Sequence, residues 1–91
     1  MPAISFHATP NPDSLKFTAE GATIISSGML AFNSAAEAAG HDLGQALFGL
    51  EGVINVFALP QFLTVTKAPA TDWNSLVEDV KHILSDYLSS Q

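Results

Sequence analysis

The chain opens on an alternation. Ile4, Phe6 and Ala8 are apolar, with Ser5, His7 and Thr9 between and after them; a period of two predicts a half-buried strand. Thr9-Pro10-Asn11-Pro12-Asp13 follows. Each proline fixes its own φ and pushes the preceding residue toward extended geometry, so this segment predicts a stiff, non-helical corner. Beyond it Leu15 and Phe17 alternate with Ser14, Lys16 and Thr18, a second strand that pairs with the first as a hairpin. Glu20-Gly21 signals a turn. Residues 22–25 then suggest a short strand, Ser26-Ser27-Gly28 breaks it, and residues 29–32 resume extended chain.

Two short helices are predicted next. Ser34-Ala35-Ala36-Glu37 fits a capping box, the serine accepting from the backbone N–H three residues on and the glutamate reaching back. Gly40 is a natural stop. Asp42-Leu43-Gly44-Gln45 fits another start, and Gly49 an end. Gly44 costs this helix up to ~1 kcal/mol relative to alanine, so the helix must lean on tertiary packing. Residues 52–59 hold Val53, Ile54, Val56 and Phe57, a near-continuous apolar run that predicts a central strand. After Pro60-Gln61, residues 62–67 predict another, with Leu63 and Val65 facing one way and Thr64 and Thr66 the other. Proline cannot reach φ > 0, which closes the primed turns to Pro60 and predicts a looser turn or a bulge.

The clearest periodicity comes last. Trp73, Leu76, Val77, Val80, Ile83, Leu84, Tyr87 and Leu88 recur at helical spacing after a cap at Thr71 or Asp72. Asn74, Glu78, Asp79, Lys81, His82 and Asp86 form its wet face. Together the elements predict an α+β domain over residues 1–91: two layers, a mostly antiparallel sheet of about four strands with helices on one face.

Charge narrows the function classes. Nine acids against three lysines, Lys16, Lys67 and Lys81, give a formal charge of −6. Nucleic-acid binding rests on phosphate neutralisation, and docking on anionic membranes needs basic clusters; neither is expected here. There is no cysteine, which removes disulfides, zinc fingers, thiolate clusters and cysteine nucleophiles. Small secreted domains tend to be stapled, so an unstapled one without a secretory signal or an Arg-rich leader is expected to be cytoplasmic.

Catalytic chemistry finds little support. His7, His41 and His82 show no metal-ligand spacing, and all three suit structural roles. The adjacent Glu78 and Asp79 do not face each other on a helix. No nucleophile elbow or phosphate loop is present. No catalytic residue, metal ligand or cofactor is therefore expected. Phe48, Phe57 and Phe62 are placed in or near the core, with an exposed anchor as the alternative for some. The proline corner admits two readings, a turn fixed by its prolines or a rigid recognition surface carrying Asn11, Asp13, Ser14 and Lys16.

Several segments together resemble one family. Thr9-Pro10-Asn11-Pro12-Asp13-Ser14-Leu15-Lys16-Phe17 is similar to the opening signature of the N-terminal domain of Nfu/NifU-type iron–sulfur scaffold proteins. Ala46-Leu47-Phe48-Gly49-Leu50-Glu51-Gly52-Val53, with Val56-Phe57, resembles its helix-then-strand segment, and Phe62-Leu63-Thr64-Val65-Thr66-Lys67 followed by Asp72-Trp73 its last strand and final helix start. Where that family's middle helix usually carries Ser-Pro-Leu-Ala and a basic residue, this chain has His41-Asp42-Leu43-Gly44-Gln45. The resemblance implies a non-catalytic accessory or protein-interaction module in iron–sulfur cluster assembly, without cluster ligands of its own. Its implied partners are proteins of cluster assembly or apo-target proteins. The alternative from the residues alone is a small-ligand binder or enzyme using a pocket between sheet and helices.

Overall fold

The computed structural model describes residues 3–90. Its elements are β1 (Ile4–Ala8), β2 (Ser14–Ala19), β3 (Leu30–Phe32), α1 (Ala35–Ala38), α2 (Asp42–Phe48), β4 (Val53–Leu59), β5 (Phe62–Lys67) and α3 (Trp73–Ser89). The strands form one antiparallel sheet in the order β1-β2-β5-β4-β3. The α+β class and the helical layer are as expected. The sheet has five strands because the short β3 pairs with β4, Leu30 opposite Ala58 and Phe32 opposite Val56.

Register decides which side chains share a face. Leu15, Phe17 and Ala19 of β2 line up with Leu63 and Val65 of β5, and these with Val56 and Ala58 of β4. Phe17, Leu63, Val65, Val56 and Ala58 are buried against Leu43 and Leu47 of α2 and Leu76, Val77, Val80 and Leu84 of α3. The opposite face carries Ser5, His7, Lys16, Thr18, Thr64, Thr66 and Asn55, with Phe57 opposite Thr64 and Phe62 opposite Leu59. Phe57 and Phe62 are thus half-buried on the uncovered side, their ring centroids 6.2 Å apart, while Phe48 packs on the core.

Three local expectations are corrected. Residues 22–25 form no strand: the Ile24 N–H donates to the Pro60 carbonyl at 2.9 Å, and Ile24 and Ile25 are buried as a plug beside the β4–β5 turn. That turn is tight, not loose, with Leu59 opposite Phe62 and only Pro60 and Gln61 between. Among the described residues only glycines have positive φ, so the turn is of an unprimed type, which proline tolerates. The irregularity sits instead at the start of β4, between Val53 and Asn55, and leaves Ile54 48% exposed. Finally, α2 begins one residue earlier than expected, capped by His41, whose Nδ1 accepts from the Gly44 N–H at 3.3 Å.

The other caps follow the sequence closely. Ser34 Oγ accepts from Glu37 N at 3.2 Å, and the Glu37 carboxylate reaches back to Asn33 N at 2.9 Å, one residue before the cap. Asp72 caps α3, accepting from Asn74 N at 2.9 Å. Gly44 has a packing reason to be glycine. A Cβ there would lie 2.8 Å from a Phe32 ring carbon and 3.1 Å from the Ala38 Cβ. The absent side chain lets α2 approach β3 and α1.

Candidate functional site

The proline corner is tied by a dense set of hydrogen bonds. Within it, Asn11 Oδ1 accepts from Asp13 N at 2.9 Å, and Ser14 N donates to the Asn11 carbonyl at 3.0 Å. Thr9 Oγ1 accepts from Asn11 N at 3.2 Å and lies 2.9 Å from the Asn11 carbonyl and 3.1 Å from that of Ser14. Such side-chain turns are what Asn and Thr offer at a bend, and Pro12, with its fixed φ, takes the second position of the Asn11–Ser14 β-turn.

Long-range bonds then strap the corner to the far end of the chain. Lys67 N donates to the Asp13 carbonyl at 2.8 Å, and Lys67 Nζ sits 3.0 Å from Asp13 Oδ1. The lysine side chain is only 8% exposed, against 31% for the aspartate. Its ammonium also lies 3.4 Å from the Ala68 carbonyl and 5.9 Å from the Trp73 ring centroid. Trp73 Nε1 donates to the Pro12 carbonyl at 3.2 Å, and Ser14 Oγ meets Thr66 Oγ1 at 2.7 Å. β2, the end of β5 and the first turn of α3 therefore converge on residues 12–14.

This geometry sorts the four candidate residues. Asn11 is exposed, with its side-chain oxygen holding the turn. Asp13 is turned toward Lys67, and Ser14 is 7% exposed and bonded to Thr66. Lys16 stands apart on the uncovered sheet face, its ammonium 5.4 Å from the Phe62 ring centroid. Two members of the strap, Lys67 and Trp73, were not among the candidates. Lys67 had a readable signal: it continues the inward series Leu63, Val65, Lys67, and a lysine on a buried face demands an anionic partner.

A second concavity of about 910 Å³ opens between residues 21–30, the start of α2 and the end of α3. His41 and Tyr87 line it with Thr23, Ser26 and Ser27. The His41 ring packs between Phe32 and Tyr87, with centroids 5.7 Å and 6.3 Å away, and its Nδ1 already caps α2. The cleft lining contains no carboxylate and no lysine, and its titratable side chains are those of His41 and Tyr87.

The residues do not fit an iron–sulfur cluster. The chain has no cysteine, and no group of three His, Asp or Glu side chains among the described residues gathers as metal ligands. No helix among them is long and apolar enough to cross a membrane.

Residues 4–91 match the family described as scaffold protein Nfu/NifU N terminal. The human protein named NFU1 iron-sulfur cluster scaffold homolog, mitochondrial, is 40% identical over 90% of this chain and 32% of its own length. The Arabidopsis thaliana NifU-like protein 5, mitochondrial, is 34% identical over 96% of this chain and 31% of its own. The chain spans about a third of the length of these curated relatives. The solution structure of a NifU-like protein from Saccharomyces cerevisiae superposes with a TM-score of 0.86, covering 99% of this chain and 81% of that one at 25% identity. The relatives' mitochondrial names overturn the cytoplasmic expectation. The absence of cysteine does not report the compartment, so nothing in the composition distinguishes cytoplasm from mitochondrion. With nearly the whole chain matched and the fold shared, the protein belongs to the Nfu/NifU scaffold-protein N-terminal family.

Proposed function

We propose that residues 1–91 act as a single non-catalytic interaction module in iron–sulfur cluster assembly, engaging assembly proteins or apo-targets without binding the cluster themselves. The observation that carries this reading is the match over residues 4–91 in a chain with no cysteine. The relatives are named cluster scaffolds, and what this chain shares with them is a fold rather than thiolate ligands. The recognition surface is the proline corner with the adjoining uncovered sheet face: Asn11 is exposed at the turn and Lys16 lies half-buried beside Phe62, while Asp13 and Ser14 hold the corner's shape through Lys67 and Thr66.

The test is anaerobic affinity capture with the tagged chain, followed by mass spectrometry. Enrichment of scaffold, desulfurase or cluster-dependent enzymes is expected. Recovery of the bait alone, with cluster proteins visible in the input, would sink the reading. In parallel, anaerobic reconstitution with iron and sulfide is expected to leave the chain colourless. A stoichiometric visible chromophore that survives desalting would show that it carries clusters after all.

A further inference from the structure

The two edges of the sheet are treated differently. β3 is three residues long and is flanked by α1. β1 is five residues long and pairs only with β2. It holds no proline, no lysine and no bulge, the devices by which proteins usually blunt an edge.

Register shows what this edge offers. Glu20 N donates to the Ala3 carbonyl at 2.9 Å, which makes Ala3 and Glu20 a hydrogen-bonded pair. Antiparallel pairs alternate. Ser5 and His7, opposite Thr18 and Lys16, therefore turn their backbone groups toward β2. Ile4, Phe6 and Ala8 turn theirs outward, and among the described residues no strand pairs with them. The Phe6 side chain is 46% exposed although it lies on the helix-covered face, opposite Phe17.

Beside the edge runs a groove of about 410 Å³ between β1 and the flank of α3, lined by Ile4, Glu78, Lys81, His82 and Asp86 among others. Lys81 is already placed 6.0 Å over the Phe6 ring and 3.7 Å from Glu78. The exposed charges left on the rim are acidic, and the chain as a whole carries −6.

We infer that β1 accepts an extended, basic segment of a partner protein as a sixth strand, pairing with the outward groups of Ile4, Phe6 and Ala8. The side chains of that segment on the helix-covered face are lysine or arginine, their aliphatic stems lying over Phe6 and their charged ends reaching Glu78 and Asp86. Only an extended backbone satisfies such a row of donors and acceptors. Charge selects the occupant: a second copy would bring Ile4-Ser5-Phe6-His7-Ala8, which has no lysine or arginine, and a further −6. The inference rests on the interaction-module reading for the existence of a partner, while the edge itself stands on geometry.

The test uses the ¹⁵N-labelled chain and a blocked octapeptide of alternating lysine and valine, with an alternating glutamate–valine peptide as control. The basic peptide is expected to slow hydrogen exchange at the Phe6 and Ala8 amides by about tenfold or more, and the acidic one to leave them unchanged. Ala8→Pro deletes one outward N–H and no β1–β2 bond, so the amide spectrum elsewhere persists while peptide affinity falls about fivefold or more. Phe6→Lys is the second variant if Ala8→Pro does not fold. Unmoved Phe6 and Ala8 amides at millimolar basic peptide, an equal response to the acidic peptide, or a dimer in sedimentation with these amides protected without peptide would each overturn the inference. Capture separates the two readings. An Ala8→Pro bait that still enriches assembly proteins removes the edge and keeps the module, whereas wild-type bait that captures nothing removes the module.

Discussion

Replacing Asp13 by asparagine tests the strap most directly. The change keeps the side chain's shape and removes the charge facing Lys67. Lys67 Nζ would then sit with its side chain 8% exposed and only neutral acceptors, the amide oxygen at position 13 and the Ala68 carbonyl at 3.4 Å, beside the Trp73 ring at 5.9 Å. Removing one partner of a buried pair costs roughly 3–5 kcal/mol. Asp13 is 31% exposed, so water reaches this pair and lowers the cost below that range; we expect about 2–3 kcal/mol. Total stability for a chain of this length is on the order of 5–14 kcal/mol, so the loss is a large fraction. In urea, with a slope of about 1 kcal/mol per molar at this size, the midpoint should fall by about 2–3 M. Lys67→Met removes the charge and keeps the stem, and costs about 1 kcal/mol or less. The double variant should then resemble Lys67→Met, because the orphaned ammonium is gone. A midpoint for Asp13→Asn within about 0.3 M of the parent, or a double variant as unstable as Asp13→Asn alone, would refute the assignment of Lys67 as a buried cation held by Asp13.

Two other substitutions have worked signs. Gly52 has φ +97°, and a Cβ there would collide with the side chain of Thr71, so Gly52→Ala should cost more than about 2 kcal/mol and lower the melting temperature by about 10 °C; a melt within 2 °C of the parent would contradict it. Gly44→Ala improves helix propensity by up to ~1 kcal/mol, yet drives a methyl into the Phe32 ring. Net destabilisation by calorimetry is expected, with partial rescue when Phe32→Leu is added, and a stabilised single variant would show that β3 gives way easily.

Much of the fold was legible because its signals were redundant. The period of two in residues 4–8 and 14–19 agrees with the proline corner between them, and α3 shows a full apolar stripe and an Asp72 cap. What escaped lies where local pattern and tertiary role part company. Ile24 and Ile25 read as strand, but their apolar surface fills a gap beside Pro60 instead of pairing. Phe57 and Phe62 read as core, and register puts them on the uncovered face. His41 gives no cap signal, since local rules favour Ser, Asp or Asn there; its ring is held by Phe32 and Tyr87, distant in sequence. At the candidate site the sequence located the corner, and only the long-range contacts show that Asp13 is turned onto Lys67 and that Ser14 is buried and bonded to Thr66.

That placement bears on how a rigid module recognises anything. A loop whose polar side chains stayed in solvent would have to be ordered on binding, at a cost in conformational entropy. Here Asn11, Asp13 and Ser14 fix the corner before any partner arrives, through bonds to one another, to Lys67 and to Thr66. β1 runs directly into that corner at Thr9, whose hydroxyl is part of the same network. The strap therefore also anchors one end of the edge strand, and the other end is held by the pairing of Ala3 with Glu20. An edge pinned at both ends keeps its outward donors and acceptors in line, which is what strand addition requires. The buried pair and the exposed edge are then mechanically linked: the polar groups hidden at the corner keep the backbone groups of Phe6 and Ala8 presented.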